Sequence, residues 1–187
     1  MPPKARFTKQ ELIDASLVLI RKEGMDALSA RNLGEHLGCS SRPIFTLYAS
    51  MAELQYDVLV QAYALYHQYV AEETASGKYP PYKASGMAYI RFAKEERELF
   101  KMLFMCDRRG NDTPSTTDFD ASVEMIMEAN GISREKATLM HLEMWTFVHG
   151  IASMIATSFL ELEWDLISVM LTDVYQGVRL RYIKGDV

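Results

Sequence analysis

Features that would point to catalysis or to a disulfide scaffold are scarce in this chain. It has only two cysteines, Cys39 and Cys106, so a disulfide framework is not expected and both thiols should be reduced. The four histidines are scattered without metal-ligand spacing, and there is no Gly-rich phosphate loop, Gly-x-Ser-x-Gly elbow or His-Glu-x-x-His pair. These absences weigh against an enzyme, and neither a metal nor a cofactor is expected.

Long uninterrupted hydrophobic runs are also lacking, although 49% of the residues are hydrophobic. A membrane span needs roughly 18 or more apolar residues. The nearest approach, residues 138–162, is interrupted by His141, Glu143, His149 and Glu161. The first six residues, Met-Pro-Pro-Lys-Ala-Arg, do not resemble a signal peptide. We therefore expect a cytoplasmic protein with no membrane partner.

Charge is uneven along the chain. The formal net charge is −5, which argues against a protein coated all over with nucleic acid. Residues 1–50 carry 7 lysines and arginines against 5 aspartates and glutamates, whereas residues 51–187 carry 13 against 20. A basic head on an acidic body is compatible with DNA contact by the head alone, but this small difference does not establish it.

The apolar pattern is helical almost throughout, and strand signals are scarce. Thr8 and Glu11 predict a capping box for the first helix, and Gly24 predicts its end. We predict an all-α fold of about nine helices, with residues 1–50 as a head and residues 51–187 as a body joined to it by a long helix. The predicted helices are 8–23, two short ones within 28–48, 50–76, 82–94, 97–106, 115–130, 133–160 and 164–184, with residues 107–114 as the clearest loop.

Residues 28–48 are the most informative segment. Two short amphipathic helices are separated by a turn at Gly38; Ser29 should cap the first, and Ser40 or Ser41 the second. Such a pair predicts a helix-turn-helix, whose second helix fits the DNA major groove. Pro43 is tolerated only in the first turn of a helix, so we expect the second helix to begin at Ser40 or Ser41.

Residues 8–54 resemble the DNA-binding head of TetR-type transcriptional regulators. Residues 44–48 fill the Leu-Tyr-x-x-Phe pattern of that family, and residues 50–54 fill its Ser-Lys-x-x-Leu pattern. In the body, Trp145-x-x-x-His149-Gly150 resembles a Trp-His-Gly signature of one group of these regulators. Two positions depart: Met51 replaces a lysine that contacts phosphate in the family, and Tyr48 replaces a phenylalanine.

The resemblance implies a DNA-binding regulator, most often a repressor that a small molecule releases from its operator. Side chains near the start of the recognition helix read base edges, and others position the protein on phosphates. The predicted base-reading residues are Ser41, Arg42, Phe45 and Thr46. The predicted phosphate contacts are Ser29, Ser40, Tyr48 and, on the N-terminal arm, Lys4, Arg6 and Lys9. Three of these have a plainer interpretation: Arg42 as a phosphate contact or a solvated surface residue, Phe45 as core and Ser29 as only a helix cap. Ile44, Leu47 and Leu54 are expected in the core.

The body is rich in methionine and aromatic residues, which adapt to varied ligands. By resemblance, such bodies bind a small-molecule effector that moves the linking helix. The candidate ligand residues are Tyr63, Tyr66, Met102, Trp145 and His149. Core packing is the plainer interpretation of each, and for His149 it is a satisfied buried imidazole. His141, Trp145 and His149 fall on one helical stripe.

A homodimer is expected because one head contacts too few base pairs, whereas two heads about one helical turn apart read a longer site. Small residues at helical spacing mark the predicted dimer surface, although tight packing within one subunit is the alternative. They are Gly150, Ser153, Ala156 and Thr157 on one helix, and Val174, Gly177, Val178 and Arg181 on the last.

A second function stays open beside the regulator. The missing lysine at Met51 and the modest charge of the head are also compatible with a helical protein-interaction module that has lost DNA binding. Steep salt dependence of DNA affinity would separate the two, because phosphate contacts release counterions.

Overall fold

The computed structural model describes residues 7–107 and 117–183, and within these ranges the chain forms nine α-helices and no strand. The predicted all-α fold is confirmed. None of the described helices is both long and apolar enough to cross a membrane. The predicted loop lies outside the described residues except for Asp107. The helices are α1 (Lys9–Glu23), α2 (Ala30–His36), α3 (Ile44–Leu47), α4 (Met51–Ala75), α5 (Pro81–Glu95), α6 (Arg97–Phe104), α7 (Thr117–Asn130), α8 (Arg134–Ala156) and α9 (Trp164–Ile183).

Local side-chain chemistry fixes the ends of α1 and α2 as predicted. Thr8 and Glu11 form the capping box, in which the Glu11 amide donates to Thr8 Oγ1 at 3.2 Å and the Thr8 amide donates to Glu11 Oε2 at 2.7 Å. Gly24 ends α1 with φ +83°, a conformation that favours glycine. Ser29 caps α2 by accepting from the Asn32 amide at 3.2 Å.

Two details of the longer helices differ from the prediction. The longest helix is α4, with 25 residues against 23 in α8. In addition, α8 ends at Ala156 rather than near residue 160. Ser158 adopts φ +57°, which cannot continue a right-handed helix.

The chain folds into two compact units. Of the described residues, the first unit comprises 7–65 and 96–107, and the second comprises 66–95 and 117–183. The helix α4 is continuous and contributes to both. The predicted boundary at residue 50 separates a head by function, and it stays a prediction.

The first unit packs α1 against α2 and α6. Its core contains Leu12, Ile20, Leu33, Ile44 and Leu54, none of which is accessible to solvent. Burial of large aliphatic side chains at about 25 cal/mol per Å² is the main source of stability for such a small head.

An ion pair joins the end of α1 to the start of α6. Arg21 donates from two nitrogens to both carboxylate oxygens of Glu96, at 2.7 and 2.9 Å. Because the contact is bidentate, it fixes the orientation of the two side chains as well as the distance between them. The helix α6 therefore belongs to the same packed unit as the helix-turn-helix segment.

The second unit is built from α5, α7, α8 and α9, with the last part of α4. Met87, Ile90 and Phe92 of α5 are fully buried. A second cluster joins α7, α8 and α9; its buried members are Val123, Ile126, Ala137, Met140 and Tyr182.

Candidate nucleic-acid interface and ligand residues

The helix that starts within residues 40–46, a segment here called the reading turn, does not begin where it was predicted to begin. The helix α3 begins at Ile44, and neither Ser40 nor Ser41 caps it with its side chain. The predicted start at these serines is wrong. A residue that precedes proline is disfavoured in the α conformation, so Arg42 cannot extend the helix backwards through Pro43. A turn precedes the helix instead, closed by the Ile44 amide donating to Ser41 O at 3.1 Å.

The reading turn presents its predicted base-reading side chains outwards. Arg42 and Thr46 are exposed, and Phe45 is 50% exposed despite being aromatic. Thr46 Oγ1 donates to Arg42 O at 3.2 Å, which fixes its rotamer. Arg42 makes no ion pair within the described parts of the chain. Ser40 is also exposed and Ser41 is half-buried.

The inward face of the same segment is core. Ile44 is fully buried, and it is followed by Leu47 at the end of α3, which is half-buried, and by Leu54 of α4, which is fully buried. Gly34 of α2 permits this close packing, because a Cβ there would lie 3.0 Å from Cys39 O. The segment therefore has one face in the core and one in solvent, as a helix-turn-helix requires.

Tyr48 is buried, whereas a residue that contacts DNA phosphate would be exposed. It is 1% exposed, and its hydroxyl donates to Asp57 Oδ2 at 3.0 Å. Burial, followed by the hydrogen bond to Asp57, raises the pKa of Tyr48 above its usual range. This geometry makes Tyr48 a link between α3 and α4 and does not favour the predicted contact.

Lys9 also makes contacts inside the first unit. Its Nζ lies 3.3 Å from Glu53 Oε1 and 4.3 Å from the ring centre of Tyr48. Ser29 is half-buried and serves as the cap of α2. Lys4 and Arg6, the other two arm residues, lie outside the described residues.

The start of α4 is held by Ser50 and Glu53. Ser50 Oγ accepts from the Glu53 amide at 3.3 Å, and Glu53 Oε2 accepts from the Ala49 amide at 2.8 Å. That amide, followed by Lys9, lowers the pKa of Glu53. Met51 occupies the first position of α4, and its uncharged side chain cannot form an ion pair with a phosphate.

Three of the five predicted ligand residues meet in the second unit through a residue that sequence reasoning missed. Tyr89 Oη and His149 Nδ1 are 2.8 Å apart. The rings of Tyr66 and Tyr89 meet edge to face with centres 5.9 Å apart, and Trp145 stacks on His149 at 5.5 Å. We call Tyr66, Tyr89, His149 and Trp145 the aromatic row.

The other two predicted ligand residues belong to the first unit. Tyr63 of α4 packs edge to face against Phe104 with ring centres 5.9 Å apart, and Met102 of α6 is buried. The five candidates are therefore divided between the two units, which share α4.

His141 belongs to the packed interior of the second unit. Its Nδ1 lies 2.9 Å from Tyr82 Oη, and the ring of Phe119 packs edge to face against it with ring centres 4.8 Å apart. Burial lowers the pKa of His141. Two tyrosines seven residues apart on α5 thus pair with two histidines eight residues apart on α8. This matched spacing is the signal that could have found Tyr89.

The predicted dimer residues are only partly at the surface. Ala156 is almost fully buried and packs inside its own unit, whereas a Cβ on Gly150 or Gly177 would meet no atom within 4 Å. The pattern of small residues does not reveal the large apolar side chains that α8 and α9 expose. They are Leu139, Leu142 and Trp145 on α8, and Leu166, Val169, Leu180 and Ile183 on α9.

Comparison with known proteins agrees with this arrangement of helices. Residues 82–171 match the family model described as the tetracyclin repressor-like C-terminal domain. These residues belong to the tetracyclin repressor-like family of C-terminal domains. The match covers α8 completely and all of α5 except Pro81, and it includes Tyr89, Trp145 and His149 of the aromatic row. No curated protein sequence matches the chain.

Solved structures share the TetR fold over nearly the whole chain. A protein of unknown function from Rhodococcus sp. RHA1 has a TM-score of 0.75 at 19% identity, covering 95% of this chain and 98% of its own. A TetR-like transcriptional regulator from the same organism has a TM-score of 0.69 at 14% identity, covering 99% and 100%. A TetR variant from Acinetobacter baumannii AYE in complex with minocycline has a TM-score of 0.59 at 18% identity, covering 94% of this chain and 99% of its own. At these identities the likeness is one of fold.

Proposed function

We propose that this chain is a homodimeric, ligand-responsive regulator of the TetR family that binds operator DNA and leaves it when a small molecule binds. The proposed mode of regulation is repression, since DNA occupancy alone can block transcription. The observation that carries DNA binding is the outward face of the reading turn. Arg42 and Phe45 stand in solvent on a segment whose other face is core.

The chemistry of this face suits a DNA groove. An arginine with no acid partner can make a bidentate contact to guanine O6 and N7, and a phenylalanine can pack on a thymine methyl. A half-exposed aromatic side chain gains most when a partner covers it. Ser40, Ser41 and Thr46 add hydroxyls for bases or phosphates, and Ser29 can contact phosphate while it caps α2.

The dimer is supported by the apolar side chains that α8 and α9 leave in solvent. Leu166 and Val169 lie on one face of α9, and Leu139 and Leu142 lie on one face of α8. Open space around Gly150 and Gly177 would let another helix approach closely. A self-complementary apolar surface of this kind is typical of symmetric dimers.

The effector site is proposed to be the aromatic row of the second unit, formed by Tyr66, Tyr89, Trp145 and His149. Because α4 runs through both units, a ligand that favours one position of α4 would shift the population of DNA-competent dimers. The related TetR variant that was solved with minocycline supports a small organic effector.

Salt dependence of DNA binding tests the proposal. Operator sequences are selected from random duplexes, and their affinity is then measured by fluorescence anisotropy between 50 and 200 mM salt. A regulator with several phosphate contacts loses roughly 10²-fold or more in affinity over this range. Failure to enrich any duplex, or an affinity that salt leaves unchanged, would instead favour the interaction module that has lost DNA binding.

A further inference from the structure

Five polar residues in the second unit form a group whose hydrogen-bond donors outnumber its acceptors. They come from the segment before α5, from the first turn of α5 and from the first half of α9. None of them belongs to the reading turn or to the aromatic row. We call this group the Lys83 cluster: it comprises Lys78, Tyr79, Lys83, Ser168 and Thr172.

Lys83 is held by neutral partners only. Its Nζ donates to Ser168 Oγ at 2.8 Å and to Thr172 Oγ1 at 2.7 Å. An ammonium has three donors, so one is left. Among residues 7–107 and 117–183, no carboxylate pairs with this partly buried charge. Its charge therefore lacks the usual counterion.

Tyr79 contributes a second hydrogen-bond donor that has no acceptor among the described residues. Its hydroxyl is buried and has no hydrogen-bond partner among the described residues. The ring centre lies 4.9 Å from Lys83 Nζ and 5.1 Å from Lys78 Nζ. Burial of an unpaired hydroxyl lowers stability, so an occupant that accepts a hydrogen bond from Tyr79 would offset this cost.

The two hydroxyls of α9 in this cluster differ in how many hydrogen bonds they make. Thr172 Oγ1 accepts from Lys83 and donates to Ser168 O at 3.0 Å, so both its functions are used. Ser168 Oγ accepts from Lys83, but its own hydrogen has no acceptor among the described residues. Lys83, Tyr79 and Ser168 thus each retain one donor. The positive end of the α5 dipole adds to the same potential.

The acidic residues near this cluster interact with Lys78 and Arg91. Tyr79, followed by Asp165 and Glu73, raises the pKa of Lys78. Glu73 is itself paired with Arg91, at 3.3 Å. Among the described residues, the hydrogen bonds of Lys83 go to hydroxyls and none goes to these acids.

We propose that the Lys83 cluster binds a small oxyanion, namely a phosphate or a carboxylate group. Such a group accepts several hydrogen bonds at once and neutralises Lys83, which are the two things that the cluster lacks. The site is separate from the proposed effector residues, and the inference does not depend on DNA binding.

Calorimetric titration with inorganic phosphate and, separately, with succinate tests the site at constant ionic strength. Saturable binding of either anion is expected, and the preferred one identifies the class. Lys83→Met should weaken binding by roughly tenfold or more, because it removes a charged hydrogen bond. Lys94→Met is the matched control, since it removes an exposed lysine from the same helix.

Tyr79→Phe gives a test that does not depend on how Lys83→Met folds. Without an anion, the variant should be at least as stable as the parent protein, because the deleted hydroxyl has no partner. With phosphate or succinate, its affinity should fall several-fold. The proposal is overturned if neither anion binds saturably, or if Lys94→Met weakens binding as much as Lys83→Met.

Discussion

The reading turn and the aromatic row are held in opposite ways. Hydrogen bonds within the reading turn join residues three or four apart, such as Ile44 with Ser41. In the aromatic row, Tyr89 meets His149, which lies 60 residues further along the chain. A surface fixed locally can be altered with little effect on the rest of the molecule, whereas a row assembled from three helices transmits a change at one member to the others. This difference suits a reader of DNA and a receiver of ligands.

The largest effect is expected where large apolar side chains face solvent. Val169→Asp should raise the dimer dissociation constant by roughly a hundredfold, because an unpaired carboxylate would be buried in an apolar interface. Val169 is 54% exposed, so the subunit should still fold. Sedimentation equilibrium measures the change. Val18→Asp on α1, at a site that is 48% exposed, is the control and should stay dimeric. An unchanged dimer in Val169→Asp would remove α9 from the interface.

The next effect tests how local the reading turn is. Arg42→Ala should weaken operator binding by about 1–3 kcal/mol and relax the preference at one base pair, as expected for loss of a bidentate base contact. The melting temperature should not change. Anisotropy titrations against single-base operator variants measure both. Arg31→Ala, which removes another exposed arginine of the head, is the control. Wild-type affinity and preference in Arg42→Ala would exclude a base-reading role.

Tyr48→Phe separates a structural role from a phosphate contact. The variant loses the hydrogen bond to Asp57, so the free energy of unfolding should fall by about 1 kcal/mol. Operator affinity should change less than twofold. Urea unfolding and anisotropy provide the two values. A large loss of affinity at unchanged stability would restore the phosphate contact that the sequence predicted.

The smallest effect concerns the pH dependence of the second unit. Burial lowers the pKa of His141 below its usual 6.5, so the unfolded chain binds a proton more readily than the folded one. Stability should therefore be lost as the pH falls below about 6.5, down to the folded pKa. His141→Gln should flatten this part of the pH profile in thermal unfolding. An equally steep profile in the variant would assign the loss to other groups.

The sequence predicted the features that depend on near neighbours. The capping box at Thr8, the cap at Ser29 and the end of α1 at Gly24 each need only a few residues, and all are confirmed. The predicted start of α3 was wrong, and the reason is also local. The effect of Pro43 on the conformation of Arg42 outweighs the capping tendency of Ser40 and Ser41.

Features that depend on distant residues were harder to predict. The sequence around Tyr89 does not mark it as a site residue, because its partner His149 lies 60 residues further along the chain. Small residues suggested a dimer surface, but burial of Ala156 depends on which way α8 faces, and periodicity does not decide that. The proposed ligand set was divided between two units for the same reason.

Photocrosslinking at position 45 tests DNA reading most directly. Phe45 is replaced by p-benzoylphenylalanine, the dimer is bound to its selected operator, and the complex is irradiated. We expect crosslinks to bases of the operator, strongest beside thymine, and none when the same analogue replaces the exposed Val18 of α1. Equal crosslinking at the two positions, or none at position 45 in a complex that is demonstrably bound, would contradict the proposal that the reading turn faces DNA.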